Sequence, residues 1–222
     1  MKLQRNYPMD TRATQPSATA TQAIAAQETA IHDIAIIGLA CRFPGAETQR
    51  AFWQLLRNQA TAIQEIPANR WDWRATYSDA KADKRKSNSK WGGFLDRIDR
   101  FDAAFFAISA PEATLMDPQQ RLMLELAHNC LEDAAYDPDT LRGSNTGVYI
   151  GVCNYDYKEL QEAHGARRNG HSATGTFNTL LPNRISYFFD FHGPSVPVDT
   201  ACSSSLVALH QAVMALRQGE CT

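Results

Sequence analysis

Two short runs constrain the fold of this chain more than any other feature. Ile34 to Ala40 reads IAIIGLA, and Thr146 to Val152 reads TGVYIGV. Neither run alternates polar with apolar residues. Each therefore reads as a strand covered on both faces, the pattern of a parallel sheet. The stretches between and beyond them carry helical spacing instead. Strands separated by helices argue for an α/β fold with a largely parallel sheet.

The helical stretches are specific. From about Thr48, residues Phe52, Leu55 and Leu56 fall on one stripe. In MDPQQRLMLELAHNCLEDAAYD, Asp117 is a good N-cap, Pro118 suits the first helical position and Gln120 takes the third place of a capping box. Leu122, Leu126, Cys130 and Ala134 then recur at helical spacing, and Pro138 lies just beyond the end. A polar helix is predicted around Asp156 to Ala163. In TFNTLLPNRISYFFDF, Pro182 would damage a helix interior, so it belongs at the start of a helical turn running toward Phe189. Residues 61 to 90 read as a long loop holding Trp71 and Trp73, and its basic stretch KADKRKSNSK reads as solvated surface. Residues 1 to 31, rich in Thr, Ala and Gln, read as a disordered or weakly helical leader. No repeat is visible.

Composition excludes several function classes. A net charge of -2 gives no electrostatic case for nucleic acid or an anionic membrane. The longest strongly apolar run, Ile34 to Cys41, is too short to span a bilayer. The opening MKLQRNYPMD lacks the apolar core of a secretory signal, so a soluble cytoplasmic protein is expected. The five cysteines, at 41, 130, 153, 202 and 221, show no paired or metal-ligand spacing. Neither zinc nor disulfides are expected, and four of the five read as small buried hydrophobes.

Cys202 is the exception. It follows a strand-like run, Ser195 to Val198, and the polar step Asp199-Thr200. Three serines come next, then a helix with Leu206, Leu209, Val213 and Leu216 on one face. Val207, Ala208, Ala212 and Met214 make its other faces apolar, so the helix is expected to be buried, with Gly219 ending it. Unpaired N–H groups and the helix dipole at its start favour a thiolate, so the thiol is expected to ionise below the usual value of about 8.5. The Cys202 N–H would point where a tetrahedral oxyanion forms, a donor worth about a hundredfold in rate. On this pattern alone, a structural cysteine at a helix start is an equally good reading.

A resemblance decides between them. IAIIGLACRFPGA, FWQLL, EIPANRWDW, KWGGFLDRIDRFDAAFFAIS, MDPQQRLMLE, LEDAAYD, NRISYFFDFHGPS and VDTACSSSLVALH stand in this order. Together they resemble the ketosynthase (β-ketoacyl synthase) domain of modular type I polyketide synthases, of the thiolase-like superfamily. The resemblance runs from Ile34 onward and covers most of the chain. It implies a thiolase-like fold of layered αβαβα type with only the N-terminal half present, residues 32 to 222, ending just after the nucleophile helix. It implies that Cys202 takes an acyl group from the phosphopantetheine thioester of an acyl carrier protein. Decarboxylation of a malonyl-type extender and Claisen condensation would follow, in polyketide or fatty acid biosynthesis. No bound cofactor or metal is implied. A homodimer formed through the strand Ser195 to Thr200 is implied for the complete domain.

Two local departures are ISAPEA, where the family usually has an ISPREA-like stretch, and Pro182, where it often has Ala. The larger departure is length. The family's catalytic histidines, active-site lysine and second oxyanion donor lie downstream of the matched region. His32, His128, His164, His171, His192 and His210 fall in none of its catalytic motifs and read as surface or satisfied core. The chain is therefore expected to be a fragment, inactive in isolation and poorly soluble or partly unfolded, because half of a duplicated fold exposes apolar surface. The alternative is a non-catalytic, truncated ketosynthase-like scaffold or docking and dimerisation protein. A hydrolase is disfavoured, since no GxSxG elbow is present and no Asp or His follows Cys202 to complete a triad.

Overall fold

Burial on both faces requires elements to cover a strand, and chain order supplies them. The computed structural model describes residues 33–79, 85–165 and 170–222. The leader expected over residues 1 to 31 and residues 81–84 of the basic stretch lie outside these. Met1–Ala35 and Ile36–Thr222 form two units. Of the first, Asp33–Ala35 are described, and they lack regular structure.

The second unit begins with helix α1, Gln49–Arg57, whose N-cap Thr48 accepts the Ala51 N–H through Oγ1 at 3.2 Å. Strands β1, Ile63–Glu65, and β2, Trp91–Gly93, pair antiparallel. Helices α2, Ala110–Leu115, and α3, Pro118–Asp133, follow. Strand β3 spans Val148–Gly151. Helices α4, Asp156–Ala163, α5, Gly170–Thr176, and α6, Leu180–Phe189, lead to strand β4, Ser195–Val198. A short 3-10 turn, Ala201–Ser203, opens helix α7, Ser204–Gln218.

Strands β3 and β4 are parallel, in register Val148↔Ser195 to Gly151↔Val198. The ladder continues with Val152 N–H donating to Val198 C=O at 3.0 Å. α7 packs back against β3, and α6 packs against α3 and both strands. Their shared core contains Phe106, Met116, Leu124, Ile150, Leu181 and Phe189. Burial of side chains this size contributes about 1.5–3 kcal/mol each.

Several expectations hold as elements: the strand near Val148, the helix at Asp156–Ala163, and a helix to Phe189 with Pro182 in its first turn. Pro182 costs nothing there, because first-turn N–H groups have no partner within the helix. Gly219 does end α7, in the left-handed region at φ 71°.

Four expectations need correction. Ile34 to Ala40 forms no strand among the described residues, and Ile36 is 81% exposed. The apolar run has the composition of a strand without a ladder partner. Its residues Gly38 and Leu39 pass instead against the end of α3. There Leu39 N–H donates to Asp133 Oδ2 at 2.9 Å, and a Cβ added at Gly38 would lie 2.4 Å from the Cys130 carbonyl oxygen. The expected long loop over residues 61 to 90 contains β1 and a 3-10 turn at Trp73–Ala75. Lys90 ties it together, 2.9 Å from Glu65 Oε1 and 4.6 Å from the centroid of the Trp73 ring.

In α3 the capping box is not made. The Asp117 N–H is taken by the Gly175 carbonyl at 2.8 Å, so Gln120 turns inward. Its Nε2 donates to Thr174 and Phe177 carbonyls, and its Oε1 accepts from Arg184 Nε at 2.8 Å. The deeply buried positions of α3 are Gln120, Arg121 and Leu124, whereas the predicted stripe of Leu122, Leu126 and Cys130 is only half-buried. Finally, α7 is not covered all round. Ser204, Ala208 and Ala215 face inward, while Leu206 is 73% and Leu209 57% exposed. Periodicity identified an apolar helix; among the described residues nothing covers its outer face.

Burial raises the Asp117 carboxyl above its ordinary 3.8, against hydrogen bonds from the Gln119 backbone and side chain that lower it. A raised folded-state value means that the contribution of Asp117 is most favourable below about pH 3.8 and falls as pH rises through the folded value. Asp117→Asn keeps the capping oxygen and removes that contribution, so the urea midpoint of the variant will rise relative to that of the parent between pH 4 and pH 7. We further predict that the 222-residue chain self-associates through the α7 face. Leu206→Lys with Leu209→Lys will raise its monomer fraction on size-exclusion chromatography while leaving helical circular dichroism unchanged.

Candidate active site

Parallel strands deliver their carboxyl ends to one edge, where loops converge. Past β3 come Val152, Cys153 and Asn154, and past β4 come Asp199, Thr200 and the turn at Ala201–Ser203. The start of α3 joins them, since Gln119 Nε2 donates to both Asp117 Oδ2 (3.2 Å) and the Asn154 carbonyl (3.4 Å).

Cys202 lies in the middle of the turn and is exposed. It precedes the first residue of α7 by two positions, so it sits just outside the helix rather than capping a buried one. Hydrogen bonds fix the turn closely. Asp199 Oδ1 accepts the Ala201 N–H at 3.1 Å, and Ser204 Oγ accepts the Thr200 N–H at 2.9 Å. Ser204 Oγ also donates to the Ala201 carbonyl at 2.7 Å, and Ser203 Oγ donates to the Thr200 carbonyl at 2.9 Å. Ala201 is held at φ 54°, the left-handed region, which costs an L-residue about 1–2 kcal/mol. The serines after Cys202 are therefore more than small. Ser204 is 4% exposed and is the internal clamp of the turn.

A second constraint comes from β3. A Cβ added at Gly151 would lie 2.5 Å from Ser205 N and 2.6 Å from Ser204 C. The start of α7 thus rests directly on the end of β3, and only glycine permits it.

Among the described residues, no hydrogen bond links Cys202 Sγ or its N–H to a partner, and none reaches it from an acid or a base. The described histidines are occupied elsewhere or distant in the chain. His128 lies 3.5 Å from Glu132, His171 3.9 Å from Glu112, and His192 3.1 Å from Asp190. The His164 ring nitrogen lies 2.9 Å from the Leu160 carbonyl oxygen, and His210 is exposed along α7. Of the other cysteines, Cys221 is buried and Cys41 and Cys130 are half-buried, while Cys153 is exposed, against the expectation of a buried hydrophobe. Burial pushes the Cys130 and Cys221 thiols up. The expected thiol Cys202 is thus placed in a fixed, open turn, whereas Gly151, Ala201 and Ser204 were not singled out from sequence. A lone glycine inside a strand was the available signal for Gly151.

A cleft of about 850 Å³ lies nearby, with Arg70, Trp71, Arg97, Asp117, Asn154 and Tyr157 on its wall. Cys202 does not line it. Among the described residues, no group of three or more His, Cys, Asp or Glu side chains could hold a metal ion, and no helix is long and apolar enough to cross a membrane.

A thiol on a strand–turn–helix corner, at the carboxyl edge of a parallel strand pair, defines an α/β protein with a candidate nucleophile at that corner. Residues 32–222 match the family model of the β-ketoacyl synthase N-terminal domain, and the chain belongs to that family. It is 52% identical over 189 residues to the polyketide synthase ThaG of Burkholderia thailandensis, covering 85% of this chain and 3% of that protein. It is 46% identical over 188 residues to PksN of Bacillus subtilis, covering 85% of this chain and 3% of that protein. Among solved structures it is similar to the oxazolomycin ketosynthase domain OzmH KS7 of Streptomyces albus, with TM-score 0.77 and 39% identity, covering 84% of this chain and 33% of the other. It is also similar to the ketosynthase of module 6 of the Bacillus subtilis bacillaene synthase, with TM-score 0.71 and 37% identity, covering 84% and 30%. The chain thus spans a small part of these relatives.

Gly151→Ala tests the corner directly. The added methyl must push α7 away, so stability is expected to fall by about 1–3 kcal/mol in urea titration. Iodoacetamide labelling of Cys202 should change while labelling of the exposed Cys153 does not.

Proposed function

We propose that Cys202 is the acyl acceptor of a condensing enzyme in polyketide biosynthesis. The thiolate attacks the thioester carbonyl of an acyl chain carried on the phosphopantetheine arm of an acyl carrier protein. The new bond is Sγ to the acyl carbon, the carrier's sulfur–carbon bond breaks, and the carrier thiol leaves with the proton. A malonyl-type extender on a carrier then loses carbon dioxide, and its carbanion attacks the Cys202 thioester. A β-ketoacyl chain leaves on the carrier and the thiol is restored. The observation that carries this reading is the exposed thiol, unpartnered among the described residues, on a clamped corner in a β-ketoacyl synthase chain similar to polyketide synthases.

The second step needs groups that move protons and stabilise the thioester enolate. Among the described residues none is hydrogen-bonded to Cys202. We therefore infer that the 222-residue chain by itself accepts an acyl group and forms no carbon–carbon bond. The setting is cytoplasmic, with no cofactor bound and with substrates delivered on the carrier.

The complete domain is read as a homodimer through the edge strand Ser195 to Thr200. β4 pairs with β3 on one side, and among the described residues no strand pairs with its other edge. That no proton-transfer group is hydrogen-bonded to Cys202 among the described residues favours one competing reading, a non-catalytic scaffold.

Incubation with the acetyl thioester of N-acetylcysteamine separates the two. An acetyl mass increment on the peptide holding Cys202, lost in Cys202→Ala, supports the enzyme. Labelling of Cys153 with Cys202 spared, or no labelling, supports the scaffold.

A further inference from the structure

We propose that Ser204 is a positioning residue that aims the Cys202 N–H as the oxyanion donor. This inference rests on the reading of Cys202 as acyl acceptor. The Ala201 carbonyl and the Cys202 N–H belong to one peptide unit, which is planar and trans, so the two groups point in opposite directions. The buried Ser204 hydroxyl donates to that carbonyl at 2.7 Å and draws it inward. The N–H at the other end of the unit is thereby turned outward, where it has no partner among the described residues.

The same peptide would relax if left alone. Ala201 stands at φ 54°, and an alanine in that region returns to negative φ when released, rotating the adjoining peptide units. Four hydrogen bonds oppose this. Asp199 Oδ1 accepts the Ala201 N–H, the Ser204 hydroxyl and the Ser204 backbone N–H both donate to the Ala201 carbonyl, and the Thr200 N–H donates to Ser204 Oγ at 2.9 Å. The serine's single oxygen both donates and accepts, and the close approach of Gly151 seats its backbone against β3. Strain held at a nucleophile's neighbour by hydrogen bonds is a form of preorganisation.

The claim separates two reactions of one thiol. Acylation passes through a tetrahedral oxyanion and needs the N–H. Alkylation by iodoacetamide displaces iodide and forms no oxyanion. The readout is the ratio of acetylation by the N-acetylcysteamine thioester to alkylation at Cys202, followed by peptide mass spectrometry on the 222-residue chain.

Ser204→Ala should lower the ratio at least tenfold, since one oxyanion donor is worth about a hundredfold. A merely structural loss would move both rates together. Ser204→Thr and Ser204→Val, alike in size and differing in the hydroxyl, repeat the comparison where the alanine variant does not fold. The threonine variant is expected to keep the parental ratio and the valine variant to lose it. Ratios within threefold of the parent in Ser204→Ala, or equal ratios in the threonine and valine variants, overturn the proposal. If the parent chain is alkylated but never acetylated at Cys202, the reading of the site fails instead.

Discussion

The corner between β4 and α7 depends on one contact, the backbone of Ser204–Ser205 lying against Gly151. With a side chain at position 151, the first turn of α7 would have to lift from the sheet. The Ser204 hydroxyl would then no longer meet both Thr200 and Ala201, and the left-handed Ala201 would lose one of its holds. A close backbone contact, with no hydrogen-bonding side chain in it, therefore sets the polar geometry around Cys202. This ordering follows from distance. Hydrogen bonds of 2.7 and 2.9 Å tolerate little displacement, whereas the contact that seats the helix is steric and steep.

Sequence patterns made some of this legible. Val148–Gly151 and Ser195–Val198 are short β-branched runs flanked by polar turns, and both form strands. Asp156–Ala163 is a helix with acidic residues in its first turn, and Gly219 marks an end where only a positive φ fits. In each case the signal is local, because the residues that decide the structure are neighbours in the chain. The frame around Cys202 was legible for the same reason, since strand, polar step and helix follow one another within some twenty residues, whereas its reading as a nucleophile came from the family resemblance.

What was not legible depends on partners far away in sequence. IAIIGLA has strand composition, yet a strand is a relation between two segments, and the described residues pair it with nothing. Gln120 fits a capping box until the Gly175 carbonyl takes the Asp117 N–H from across the fold, after which its amide is better used bridging α5 and α6. The outer face of α7 is apolar and exposed, because periodicity reports what a face could bury and not what lies opposite. Ala201 is the hardest case. Positive φ usually announces itself through glycine or asparagine, and here an alanine is held there by its N–H donating to Asp199 and its carbonyl accepting from Ser204.

These two kinds of dependence divide the chemistry in the proposed reaction. Exchange of one thioester for another is nearly balanced in energy. It asks for an accessible sulfur, a fixed approach and a donor for the oxyanion. Each of those can be met by residues between Gly151 and Ser205, within one strand pair and the turn above it. Decarboxylation and condensation create a carbanion and consume a proton, so they ask for acid and base groups facing the same sulfur. The described histidines lie beside Glu112, Glu132, Asp190 and the Leu160 carbonyl, or stand along α7. Nucleophile placement is thus a local property of this part of the fold. Carbon–carbon bond formation requires side chains brought in from other elements, as the exposed apolar faces of α7 and of Ile36–Leu39 also require a covering surface.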